Sequence, residues 1–187
     1  MVKQTKASDL SESAVVERAK SLGNRWMGAV LLQHDRIRKP RPQDKAFHPF
    51  RSDLFNEADV HFLVIALSRL RKIATTLVHA PQVWDSVDTA IKDFDAKIPW
   101  LKRLRDVFEH LEDYAVDSNL RKTTTSRREL QVWSADENGM KWLGYDIDWN
   151  KATLAAADLY AALKNVYDHY PRKENSLINN PPEGASC

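Results

Sequence analysis

Residues 52–79, SDLFNEADVHFLVIALSRLRKIATTLVH, decide the fold class. Ser52 or Asp53 can cap a helix, because a short side-chain oxygen accepts an otherwise orphaned backbone N–H. Behind that cap, Leu54, Phe55, Ala58, Phe62, Ile65, Ala66, Leu70, Ile73, Ala74 and Leu77 recur at helical spacing. The middle of the stretch is apolar almost all round, which marks a helix enclosed by others rather than one lying on a surface. Pro81 ends it. Its longest apolar run, Phe62 to Leu67, is far too short to cross a membrane.

The same period extends to both sides. Val15, Val16, Ala19, Leu22, Trp26, Val30 and Leu31 form a stripe on a first helix, from about Ser11 to Arg36. That helix must stop before Pro40 and Pro42. A basic loop follows, with Arg36, Arg38, Lys39, Arg41 and Lys45. After Pro81, a third helix carries Val83, Trp84, Val87, Ala90, Ile91 and Phe94. A fourth begins near Pro99 and buries Ile98, Leu101, Leu104, Phe108 and Leu111, with Val107 and Tyr114 at the edges. A fifth, from about Asn150 to Tyr170, uses Leu154, Ala157, Leu159, Ala161, Leu163 and Val166. Asp146 and Asp148 precede it and suit capping better than metal binding.

Residues 129–145 change period. Glu129 to Trp133 and Lys141 to Tyr145 alternate, with Asn138-Gly139 between them. Asn-Gly is a strong hairpin signal because both residues tolerate positive φ. With those two as the turn, Asp136 faces Lys141 and Trp133 faces Gly144. The expected fold is therefore all-α, an up-and-down bundle of about five helices with one β-hairpin inserted near residues 129–145. The domain spans residues 10–170, between a flexible N-terminus (1–9) and a flexible C-terminal tail (171–187).

A chain of 187 residues suits one well-cored domain. Its 43% hydrophobic and 29% charged content is that of a soluble globular protein. The formal charge of +2 excludes a polycation, so any nucleic-acid site has to come from local clusters. The single cysteine, Cys187, forms no intrachain disulfide, and the N-terminal residues lack the apolar core of a signal peptide. A cytoplasmic location is expected.

Chemistry concentrates at Arg105-Asp106-Val107-Phe108-Glu109-His110. Arginine holds phosphate as a permanent forked cation, and histidine exchanges protons near neutral pH without a metal. Arg105-Asp106-x-x-x-His110 resembles the signature of the HEPN superfamily: arginine, a polar residue, spacers, then histidine, on a late helix of an all-helical bundle. The resemblance would cover roughly residues 10–170, with six of them specific. It implies a metal-independent endoribonuclease, of the kind found among toxins and defence factors, acting as a homodimer on RNA, with an antitoxin protein as a further partner. It assigns Arg105 and His110 as catalytic and Asp106 as the polar support. Other members are inactive and bind a protein or nucleotide partner, which is the alternative reading.

Helical geometry sets a condition on that site. Five residues at 100° each separate Arg105 and His110 by about 140°. Asp106, and Arg103 seven residues before, share the His110 face. A second subunit, or a long reach by Arg105, must complete the pair. Arg103, Arg121, Lys122, Arg127 and Arg128 are the candidate RNA-binding residues, since the last four follow the motif closely and can steer a phosphate backbone. The plain alternative is a solvated, charge-laced helix face with an Asp106–His110 pair one turn apart.

Elsewhere the sequence offers less. His61 and His79 read as core or capping residues, and His34, His48 and His169 stand at element ends. No Cys/His spacing suits a metal and no glycine-rich loop suits a nucleotide, so no metal or cofactor is expected. The six tryptophans read as core.

Overall fold

The computed structural model describes residues 12–39, 51–110, 129–130 and 134–170; at 51–56 and 82 it describes the backbone alone. Five α-helices and a small antiparallel sheet make up most of these residues; Glu129 and Leu130 are also helical, not the strand that their alternation suggests. They are α1 (Glu12–Arg38), α2 (Arg51–Thr76), α3 (Pro81–Lys97), α4 (Leu101–Glu109) and α5 (Trp149–His169). The strands β1 (Ser134–Ala135), β2 (Gly139–Trp142) and β3 (Tyr145–Asp148) lie between α4 and α5 in sequence. The expected helical bundle with an inserted hairpin is what the chain forms. The expected termini, 1–9 and 171–187, lie outside the described residues.

Helix α2 is the central element. It packs along α1 and also meets α3, α4 and α5. Val60, Leu63, Val64, Leu67, Leu70 and Ala74 are buried along it. The apolar pattern holds at Ala66, Leu70, Ile73, Ala74 and Leu77 but fails earlier: Phe62 is 55% exposed, and Ala58 is exposed too. A helix apolar nearly all round carries no period to fix which side turns inward, so its neighbours decide. At its end the chain tightens into a 3-10 turn, Leu77–His79, before Pro81 opens α3.

The other stripes are close to expectation, with local corrections. On α1 the buried residues are Val16, Ala19, Gly23, Met27, Val30, Gln33 and Ile37; Leu31 is 50% exposed. On α5, Ala152, Thr153, Ala155, Ala156, Leu159 and Leu163 are buried, while Leu154 is 65% exposed and Ala161 also faces out. Small residues set the close face of α5 because α1 and α3 both press against it. Val87, Ile91 and Phe94 anchor α3. Arg71 of α2 holds Asp95 of α3 through two parallel bonds of 2.6 and 2.5 Å. This half-exposed pair contributes about 1 kcal/mol or less.

The sheet differs most from expectation. Ser134 pairs with Lys141 and Ala135 with Met140, two residues away from the register of an Asn-Gly two-residue turn. The tight two-residue turn is instead Leu143-Gly144, where φ is +51° and +80°. It folds Tyr145–Asp148 back on β2, so what reads as one strand is two. The Asp136 carboxylate decides the outer loop. It accepts the N–H groups of Asn138 and Gly139 at 2.8 and 2.9 Å, an arrangement that lengthens the connection. Those two bonds hold the Asp136 carboxyl below its ordinary pKa. Gly139 is needed for closeness rather than for positive φ: a Cβ there would run into the Ile147 carbonyl oxygen.

Asp148 caps α5 by accepting the Lys151 N–H at 2.9 Å, as its place before the helix predicts. The fully buried Trp149 ties the loop to that helix. Its backbone N–H meets Asn138 O at 3.0 Å, and its indole donates to Asp136 O at 3.3 Å.

Candidate functional site

Helix α4 is short, and its two sides are chemically opposite. Leu101, Leu104, Val107 and Phe108 are buried. Lys102, Asp106 and Glu109 are exposed, and Arg103 and Arg105 are intermediate. The motif therefore lies on the outward side of a helix whose inner side belongs to the core. Leu111, Arg121, Lys122, Arg127 and Arg128 lie outside the described residues.

The helix ends within the motif. Glu109 is its last residue, and His110 takes φ −133° and ψ 29°, with its N–H reaching back to Val107 O at 3.3 Å. The 140° separation expected for an unbroken helix therefore does not govern His110, whose backbone has left the helical path. Arg105 turns toward Glu109: its Nε lies 3.3 Å from Oε2, and both side chains are 42% exposed. That Nε is shut off from solvent and lacks hydrogen-bond alignment, so the contact is coulombic. The exposed part of Arg105 is thus not its Nε. Arg103, Asp106 and His110 have partners of their own.

Aromatic stacking holds α4 in place. The His61 ring of α2 lies over Phe108 at 4.7 Å and 11°, and Phe108 meets Trp142 of β2 at 5.1 Å and 53°. This column joins α2, α4 and the sheet immediately beside the motif. The His61 Nε2 is enclosed without a hydrogen-bond partner. His61 is therefore half core residue and half neighbour of the motif, a position that its sequence context does not reveal.

The structure gathers a second polar group that the sequence reading leaves at element ends. On α1, His34 and Arg38 are one turn apart. His34 Nε2 lies 3.0 Å from Asn150 Oδ1, and Arg38 Nη1 lies 3.2 Å from the same oxygen. Between them in sequence but on another side of the helix, Arg36 Nε meets Asp59, whose side chain is 4% exposed, at 3.0 Å. The two contacts to Asn150 cross more than a hundred residues of sequence, so no local pattern announces them. Among the described residues, no group of three or more His, Cys, Asp or Glu side chains is disposed to hold a metal ion. Nor is any helix there long and apolar enough to cross a membrane.

No protein-family model matches the chain, and no curated protein or solved structure matches it either.

Proposed function

We propose that this chain is a metal-independent endoribonuclease of the HEPN type that acts as a homodimer, in the manner of a toxin or defence factor. One observation carries the reading. Arg105, Asp106 and His110 stand clear of the buried side of α4, and His110 sits where the helix ends rather than within it.

In the proposed reaction, the ribose 2′-oxygen attacks the adjacent phosphorus. The O2′–P bond forms and the P–O5′ bond breaks, leaving a 2′,3′-cyclic phosphate and a 5′-hydroxyl. His110 exchanges the proton of the attacking or the leaving oxygen, while Arg105 holds the non-bridging oxygens as their charge grows. A second subunit supplies the complementary residue, since one histidine does not face both oxygens at once.

The alternative, an inactive helical module that binds a protein or nucleotide partner, is favoured by the Arg105–Glu109 pair, which gives the arginine a structural use. Incubating single-stranded RNA with wild type, Arg105→Ala and His110→Ala in the presence of EDTA separates the two. Loss of about a hundredfold or more in each variant supports the ribonuclease, this being the usual weight of a proton-transfer group. Equal cleavage by all three proteins, or none by any, sinks it.

A further inference from the structure

We propose that Arg38, with Asn150 and His34, forms a backbone-phosphate subsite for the RNA, at the same end of the bundle as the motif. The identity of the nucleic acid rests on the ribonuclease reading above; the site itself rests on the following geometry.

Three contacts define this end. Arg36–Asp59 brings the last turns of α1 to the early turns of α2. His61–Phe108 brings the third turn of α2 to the end of α4. His34 and Arg38 bring the end of α1 to the first turn of α5. The ends of α1 and α4 and the start of α5 are therefore gathered around the third turn of α2, where α4 presents Arg105 and His110.

Charge distinguishes Arg38 from several other cations of the described residues. Arg36 faces Asp59, Lys39 faces Asp35, Arg105 faces Glu109 and Lys141 faces Asp146. Arg38 faces a neutral amide oxygen, so its hydrogen bond orients the guanidinium without offsetting its charge. Guanidinium only donates, which fixes the Asn150 atom as its oxygen; His34 Nε2 must then also be a donor toward it. The Asn150 amide nitrogen and the remaining guanidinium N–H groups are left to meet an acceptor. Among the described residues, Arg38 has no carboxylate at ion-pair distance. A forked cation held by a neutral acceptor, with Lys151 next to Asn150 in sequence, suits a phosphate diester. Arg41 and Lys45 follow in sequence with the same sign.

The test measures binding apart from cleavage. A fluorescent single-stranded RNA with 2′-O-methyl groups lacks the nucleophile, so wild-type protein can be titrated with it intact. Arg38→Gln and Asn150→Asp are compared with wild type across a salt series. Asn150→Asp keeps the acceptor oxygen for both partners but places a carboxylate against Arg38, so it weakens binding without loosening the fold. Each variant is expected to raise Kd by about three- to tenfold at low salt, and Arg38→Gln to lower the slope of log Kd against log salt by about one. Unchanged Kd and slope in both variants, or no RNA binding by wild type, overturns the proposal. Binding that depends on Arg38 in a protein that leaves ordinary RNA uncut keeps the subsite and removes the ribonuclease.

Discussion

Arg105 and Glu109 lie one turn apart on α4, with the guanidinium Nε 3.3 Å from the carboxylate. On the ribonuclease reading, Glu109 competes with phosphate for that cation. Glu109→Gln keeps the shape and removes the competing charge. Its Kd for uncleavable RNA should fall by roughly three- to fivefold at low salt, the scale of one exposed ion pair, and the gain should fade as salt screens it. A Kd unchanged at every salt concentration would mean that Arg105 does not meet RNA.

The Asp136 carboxylate gives the fold a pH dependence of known sign. Two backbone N–H bonds hold its folded pKa below the ordinary 3.8. Above pH 3.8 the carboxylate is ionised in both folded and unfolded chains, and its stabilisation is fully present. As pH falls from there through the lower folded pKa, the native group takes up a proton and the stabilisation is lost. Asp136→Asn should therefore melt below wild type at pH 7, and the gap should close under acid conditions. A gap that stays constant from pH 7 to pH 3 contradicts this.

Tyr167 carries an enclosed hydroxyl with no hydrogen-bond partner, and burial pushes its pKa above the ordinary 10. The phenol is thus stabilised in its neutral form, an advantage present below pH 10 and lost as pH rises beyond it. The same oxygen would lie 3.2 Å from a Cβ placed on Gly23. Tyr167→Phe should keep or raise the melting temperature and reduce alkaline destabilisation. Gly23→Ala should be close to neutral alone, yet gain about 1 kcal/mol in the Tyr167→Phe background, where helix propensity acts without the clash. A double-mutant cycle with no coupling would refute the contact.

Two glycines of the sheet should respond differently to alanine. Gly139→Ala drives a methyl into the Ile147 carbonyl and should cost about 1–3 kcal/mol. Gly144→Ala meets open space and suffers only its φ of +80°, at about 1 kcal/mol. Urea denaturation should rank Gly139→Ala as the more damaging.

Helix number, order and approximate ends were legible because a 3.6-residue apolar period and prolines are local signals. The inward side of the first half of α2 was not, because Leu63, Val64 and Phe62 are equally apolar and only tertiary packing leaves Phe62 outside. The strand register went astray for a related reason. Asn138-Gly139 carries the stronger turn preference, but the Asp136 carboxylate and Trp149 fix a longer loop there. Leu143, a residue ill suited to positive φ, takes the tight turn instead. Arg105 and His110 were visible as a motif, whereas the end of α4 at Glu109 was not, since Leu111 continues the apolar stripe. The His34–Arg38–Asn150 group left no trace in sequence because its partners are 112 to 116 residues apart.

The tie between Trp149 and the Asp136 loop carries a consequence for the order of assembly. Those partners are 13 residues apart, whereas the Tyr160–Asn24 bond that docks α5 on α1 joins residues 136 apart. Closing the longer loop costs about 2 kcal/mol more in chain entropy. The three strands and the first turns of α5 thus form a local nucleus, and α1 arrives afterwards from the far end of the chain. Pulse-labelled hydrogen exchange during refolding should show amides of β2, β3 and α5 protected before those of α1. On the proposed reading, the phosphate subsite comes into being only at that late docking, so a nascent or partly folded chain would hold RNA weakly until its first helix has settled against its last.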